Sequence, residues 1–193
     1  MQVGDSPEEM LALIAQERAE LGRRRAVSPV PTFAAWGLAW LAGFGACYLA
    51  ATGLLPWLLA GLVLGVLVAV AVVVPIVRGA RAASGVRGPS RQLGLMYGLS
   101  WVAGPLALSA INSGLGAGTV PWTASAMFMV GLLYLAGGML WRDLSQYLLG
   151  LWVLLFAAIS VHLGSPGNFL VLSLAGGGGM LVQAGWLALR GRR

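Results

Sequence analysis

Six runs of about twenty apolar residues, each long enough to cross a membrane as a helix, constrain this chain more than any other feature. Hydrophobic residues make up 59% of the 193 positions and charged residues only 9%, against about 25% charged in a soluble domain. A transmembrane β-barrel would show alternating segments of about ten residues, which the sequence lacks. We therefore predict an all-α integral membrane protein, a six-transmembrane-helix bundle with a short cytoplasmic N-terminal amphipathic helix.

The predicted spans divide the chain into three parts. A cytoplasmic helix and basic tail occupy residues 1–30, the six-helix transmembrane domain occupies 31–190, and a basic cytoplasmic loop lies within that domain at 78–91. The predicted spans are 32–52, 55–77, 93–111, 121–141, 144–163 and 169–189. Because none of them has an interior charge, each can lie in hydrocarbon along its whole length.

All twelve basic residues are arginines, and the spans place them on one side of the membrane. Those nearest the span ends are Arg23, Arg24, Arg25, Arg78, Arg81, Arg87, Arg91, Arg142, Arg190, Arg192 and Arg193. The connections near 52–56, 112–121 and 164–168, on the opposite side, carry no charge. The positive-inside bias therefore predicts that both termini are cytoplasmic.

This distribution also indicates what the arginines do. The net charge of +6 is confined to span ends, so we interpret the arginines as topology determinants and as contacts to anionic lipid headgroups of the bilayer. We predict no binding of nucleic acid. Basic charge carried by arginine alone, beside abundant Ala, Gly and Val, is typical of a GC-rich bacterium. The expected location is thus a bacterial inner (plasma) membrane.

The N-terminal segment has helix signals of its own. Ser6 and Glu9 have the spacing of a capping box, and we predict a helix over about 7–24. Apolar residues of this helix share one stripe; they are Met10, Leu13, Ile14 and Leu21. Two interpretations stay open: a helix resting on the membrane surface, or a docking helix for a cytoplasmic partner.

Four consecutive glycines lie near the middle of the last predicted span; they are Gly176, Gly177, Gly178 and Gly179. Each weakens a helix relative to alanine and leaves backbone uncovered. One explanation is a crossing point, where another helix or a bulky side chain such as Trp152 presses on bare backbone. The alternative is a helix break that lines a polar cavity, flanked by Ser173 and Gln183.

The eight tryptophans fall into two groups. Five lie toward span ends, where an indole suits the headgroup region, and Trp40, Trp101 and Trp152 lie deeper. The deeper three require a helix-packing or cavity explanation. Two GxxxG pairs, Gly61 with Gly65 and Gly94 with Gly98, predict close helix contact. These glycines are compatible with contacts inside one monomer and with a homo-oligomer.

Few residues could carry chemistry. After Glu20 the only carboxylate is Asp143, which with Gln146 has the spacing of a helix N-cap. Carboxylate catalysis, a carboxylate metal site and proton coupling through a membrane acid are therefore not expected. Cys47 is the single cysteine, so no intrachain disulfide forms. We predict no catalytic residues, no metal site and no cofactor.

His162, the single histidine, lies near the outer end of the fifth span, at the level expected for Asn112 and Asn168. Histidine changes charge near neutral pH, so it could act as an external pH sensor or vestibule ligand. The simpler interpretation is an interfacial histidine that bonds to loop backbone.

Two functional hypotheses follow. The first is a non-catalytic transport-type protein, a channel or uncoupled permease for a small neutral solute, because the spans are uncharged and one is rich in glycine. The second is an accessory or regulatory membrane subunit that binds a cytoplasmic or membrane protein partner through the N-terminal helix and the basic loop. An intramembrane enzyme is not expected, since the spans lack acids.

Overall fold

The computed structural model describes residues 10–13, 16, 28–83 and 89–190, and this part of the chain is all helical. The predicted all-α class is confirmed. The six helices are α1 (Val30–Ala51), α2 (Trp57–Ala83), α3 (Pro89–Gly114), α4 (Thr119–Trp141), α5 (Leu144–Val171) and α6 (Gly178–Arg190), with a π-helical segment at Leu172–Gly177 between the last two. In the N-terminal segment Met10–Leu13 and Gln16 are helical, and the rest of the predicted helix lies outside the described residues.

Five helical stretches are long and apolar enough to cross a membrane. They are Val30–Ala51, Trp57–Gly79, Gln92–Gly114, Thr119–Trp141 and Leu144–Arg190. This composition identifies a multi-pass membrane protein. The predicted fifth and sixth spans both fall within the last stretch, which is 47 residues long.

This last stretch folds back on itself rather than running straight. Gly164 (φ 60°, ψ −171°) and Ser165 (φ −87°, ψ 138°) interrupt the helix, and the positive φ of Gly164 suits a residue without Cβ. Farther along, the Gln183 side-chain amide donates a hydrogen bond of 2.7 Å to the Ser145 hydroxyl, 38 residues earlier. In a straight helix those residues would lie about 57 Å apart. The stretch is therefore an antiparallel hairpin that bends at Gly164.

The α4–α5 connection shows why the predicted N-cap works. Arg142 takes a left-handed conformation (φ 53°, ψ 39°) that ends α4, and the Asp143 N–H donates to the Gly138 carbonyl over 2.8 Å. The Asp143 carboxylate then accepts from the Ser145 N–H at 2.9 Å and the Gln146 N–H at 3.2 Å. The predicted cap at Asp143 is thus confirmed. Because the N-cap residue of α5, Asp143, directly follows the C-cap residue of α4, Arg142, the two helices form a tight hairpin.

α1 runs antiparallel to both α2 and α6. Residues 52–56 join it to α2 in a short turn. Across from α6, Gly37 lies against the Leu181 side chain, and the Leu41 backbone lies against Gly177. A later residue of α1 therefore contacts an earlier residue of the C-terminal helix, which shows that the two run antiparallel. The start of α1 thus lies beside the ends of α2 and α6.

As a result, the arginines whose side chains are described share one end of the bundle. Arg78 lies near the end of α2, Arg142 lies between α4 and α5, and Arg190 is the last residue of α6. The other predicted topology residues, Arg23, Arg24, Arg25, Arg87, Arg192 and Arg193, lie outside the described residues, as do the side chains of Arg81 and Arg91. The predicted loop at 78–91 is shorter than expected, because α2 continues to Ala83 and α3 begins at Pro89.

The core lies between α1, α4, α5 and the π-helical segment with α6. Its buried members are Phe33, Trp40, Met127, Tyr134, Leu149, Val153, Ala157, Leu172, Met180 and Ala184. The two remaining helices are peripheral: α2 packs mainly on α1, and α3 packs mainly on α4. Large apolar side chains therefore fill the space between the four central elements.

The closest contacts between helices occur at glycines. These are not the glycines that the GxxxG spacing predicts. A Cβ placed on Gly61, Gly65, Gly94 or Gly98 would meet no atom of the described residues within 4 Å. The predicted close approach at these four positions is therefore not made within the described chain. A Cβ on Gly138 would instead lie 2.7 Å from the Tyr147 backbone nitrogen. One tight crossing is therefore between α4 and α5, where GxxxG spacing does not predict it.

Candidate functional site

The four-glycine run spans the end of the π-helical segment and the start of α6. A Cβ on Gly176 would lie 2.5 Å from the Trp40 ring, and one on Gly177 would lie 2.5 Å from the Leu41 backbone nitrogen. A Cβ on Gly179 would lie 2.9 Å from the Trp152 indole nitrogen. Gly178 alone has no described atom within 4 Å of its Cβ position. Three of the four glycines thus accept a neighbour against bare backbone.

Polar groups at this level bond to neighbouring helices. The Trp152 indole N–H donates a 2.9 Å hydrogen bond to the Ala175 carbonyl, inside the π-helical segment. The buried Ser173 hydroxyl donates a 2.7 Å bond to the Leu41 carbonyl of α1. A π-helical turn displaces the regular backbone pattern, and side chains often complete it. Here Trp152 and Ser173 fix the segment between α5 and α1, and a polar cavity at Ser173 stays a prediction.

The structure separates the predicted cavity residues into two sides of the last helix. Ser173, Gly176 and Gly177 face α1, which contributes Trp40 to this side. Gly178, Gly179 and Gln183 lie along α5, which contributes Trp152. Trp101 belongs to neither side, because it lies on α3 with its ring 5.5 Å from that of Tyr134. His162 is exposed, two residues before the bend at Gly164.

The α5 side of the last helix carries an open groove with a cavity volume of about 660 Å³. Its walls are apolar and include Leu148, Leu174 and Val182. Gly178 leaves its floor open, and the half-exposed Trp152 ring lines one end. Four predicted site residues therefore meet at one surface, which faces outward from the bundle.

Polar residues collect at the other end of this groove. Gln183, only 8% exposed, bonds to the Ser145 hydroxyl, which donates to the Asp143 carboxylate over 2.6 Å. The Arg190 guanidinium lies 4.4 Å from the centre of the Trp186 ring, a cation–π geometry. The groove thus has apolar walls and one end with a fixed positive charge.

Two separate polar pairs lie near the opposite end of the bundle, on different faces of α4. The Asn168 side-chain amide nitrogen donates to the Thr123 hydroxyl at 2.8 Å, and the Asn112 amide nitrogen donates to the Ser125 hydroxyl at 2.9 Å. Asn168 is fully buried, and its side-chain oxygen has no partner among the described residues. Reversing that amide would only exchange which atom lacks a partner. Sequence reasoning missed Thr123 and Ser125, although both lie in the first turns of α4.

α3 presents an exposed surface of unusual composition. Its apolar stretch is about as hydropathic as that of α1 and much less so than that of α2. Yet 44% of the most apolar 18-residue window of α1 is buried, whereas none of the corresponding window of α3 is. Small side chains at helical spacing line one exposed face of α3, which we call the small-residue face; they are Ser100, Ala103, Ala107 and Ala110. A helix of this composition is better suited to a protein contact than to lipid.

The chain matches no family model, no curated protein and no solved structure at a significant level. Function must therefore be argued from the residues themselves.

Proposed function

We propose that this multi-pass membrane protein is a non-catalytic subunit, which assembles with other membrane helices through the small-residue face of α3. The observation that carries the proposal is the mismatch on α3, which has the composition of a packed helix and the exposure of a lipid-facing one. Lipid tails gain little from small side chains, whereas a partner helix gains close backbone approach.

The topology of the subunit follows from the hairpin and the arginines. We infer six membrane crossings, because Leu144–Arg190 bends at Gly164 and its two arms run antiparallel. We place the end that carries Arg78, Arg142 and Arg190 in the cytoplasm of a bacterial inner membrane, by the positive-inside bias. The N-terminal helix then lies on the same side, where it can contact a cytoplasmic partner.

A channel for a small neutral solute is the second candidate, and the buried Asn168 side chain favours it. A fully buried side-chain amide with an unpartnered oxygen is costly unless a water or a solute group bonds to it. Asn168 would then lie beside the outer end of a path. Flux of neutral solutes into liposomes that contain this protein alone would support this candidate, and tight liposomes would count against it.

Cysteine cross-linking in native membranes tests the subunit proposal. Ala107→Cys, on the small-residue face, is placed in a Cys47→Ser background, labelled with a maleimide that carries a benzophenone group, and irradiated, so that the photoactivated group bonds to C–H groups of any neighbouring helix. We expect a covalent adduct, whose mass distinguishes a second copy from a different partner. Val70→Cys, on an exposed face of α2, is the matched control and should give none. Absence of an adduct at both Ala103→Cys and Ala107→Cys, or equal adducts at Val70→Cys, would overturn the proposal.

A further inference from the structure

The groove between α5 and α6 has the length of a lipid chain. From Leu174 to Arg190 it follows the end of the π-helical segment and then α6 over 16 residues, or about 24 Å at 1.5 Å per residue. One leaflet contributes about half of a hydrocarbon core of roughly 30 Å. The groove therefore extends from the level of the headgroups to beyond the middle of the membrane.

Its shape depends on residues that keep it open. Gly178 has no described atom within 4 Å of its Cβ position, so the groove floor there is bare backbone. Trp152 is held by its bond to the Ala175 carbonyl, and its exposed face borders the apolar end. Leu148 and Val182 complete the walls from opposite helices. This surface is concave, apolar and fixed by hydrogen bonds at its deep end.

The end of the groove opposite Trp152 carries a positively charged side chain. Among the described residues that line the groove, Arg190 is the one ionised group, and its guanidinium is held over Trp186. The nearby Asp143 carboxylate is engaged by Ser145 and Gln146, in the N-cap of α5. A positive charge at the headgroup level, above an apolar channel, is complementary to an anionic amphiphile.

We propose that the groove binds one acyl chain of an anionic phospholipid, whose phosphate contacts Arg190. The chain lies along Leu148, Leu174 and Val182 and passes over Gly178. The lipid comes from the leaflet on the arginine-bearing side. This site is independent of assembly through α3, since it lies between two other helices.

Native mass spectrometry of the full-length protein in mild detergent tests the site, with phosphatidylglycerol and phosphatidylcholine of identical chains as probes. We expect one retained phosphatidylglycerol per chain and weaker retention of phosphatidylcholine. Arg190→Gln should weaken phosphatidylglycerol binding about fivefold and remove the preference between the two lipids, because one arginine near a membrane surface contributes about that factor. Arg78→Gln, at the same end of the bundle but on α2 and away from the groove, is the matched control and should retain the groove lipid as the wild type does.

Filling the groove provides the second arm. Gly178→Leu should abolish retention of both lipids, whereas Gly65→Leu, at an equally open glycine of α2, should leave it unchanged. Val182→Trp, one turn further along the same face of α6, fills the groove if Gly178→Leu fails to fold. Equal retention of the two lipids by the wild type, or unchanged retention in a folded groove-filling variant, would overturn the proposal.

Discussion

Replacing Gly138 by alanine should destabilise the bundle, while the same replacement at Gly65 should not. At Gly138 the new Cβ would lie 2.7 Å from the backbone nitrogen of Tyr147 and 2.8 Å from its Cα. Backbone atoms cannot rotate away as a side chain can, so α4 and α5 must separate. At Gly65 the Cβ would meet no described atom within 4 Å. Both substitutions improve helix propensity, which makes them a matched pair.

The magnitude follows from two opposing terms. Alanine is favoured over glycine in a helix by about 1 kcal/mol at either position. Overpacking at Gly138 costs about 1–3 kcal/mol. We expect a cost near the upper end of this range, because separating α4 from α5 also opens a second close contact between them. At that contact, a Cβ on Gly150 would lie 3.0 Å from the Gly131 carbonyl oxygen. The two variants should therefore differ by about 3 kcal/mol, or roughly a hundredfold in the folding equilibrium.

Equilibrium unfolding in mixed micelles measures this difference. The purified variants are titrated with sodium dodecyl sulfate in a mild detergent, and tryptophan fluorescence reports the loss of tertiary contacts. Gly138→Ala should unfold at a clearly lower fraction of dodecyl sulfate than the wild type, and Gly65→Ala at an equal or higher fraction. If the two variants unfold at the same fraction, the α4–α5 crossing is not as close as we describe.

Three further predictions use other parts of the chain. Asp143→Ala should lower the free energy of unfolding by about 1 kcal/mol in the same titration, and Asp143→Asn should restore most of it, since asparagine caps helices equally well. A reporter active only in the cytoplasm should be active when fused after Arg193 and inactive when inserted at Gly116; the reverse pattern contradicts the topology. Removal of residues 1–25 should release a co-purifying cytoplasmic partner in pull-downs from native membranes, and unchanged co-purification would exclude a docking role for that segment.

Hydropathy alone predicts the all-α class of this fold and some of its helix ends, whereas α2 and α3 extend beyond the predicted residues 77 and 93. The α4–α5 boundary at Trp141 and Leu144 is predicted to the residue, because Arg142 and Asp143 are the only charges in that region. The bend at Gly164 is likewise marked by the Gly-Ser-Pro-Gly sequence that begins there. Such features are local, so neighbouring residues in the sequence are enough to specify them.

Contacts between helices are less accessible to sequence reasoning. The GxxxG spacing shows that Gly61 and Gly65 share a face, but it does not show whether another helix covers that face. Gly138 is buried against Tyr147 without any such motif, because the short α4–α5 turn brings the two backbones together. The groove depends on how α5 and α6 diverge after the bend, and no residue pattern encodes that divergence directly.

The contact between the Ser173 hydroxyl and the Leu41 carbonyl joins residues 132 positions apart in the chain. A ribosome adding about 5–20 residues each second needs on the order of ten seconds to make the intervening polypeptide. During that interval the face of α1 that carries Trp40 has no final helix to cover it. Cells must therefore shield this face during synthesis, either with lipid or with an insertion factor, until the C-terminal hairpin arrives.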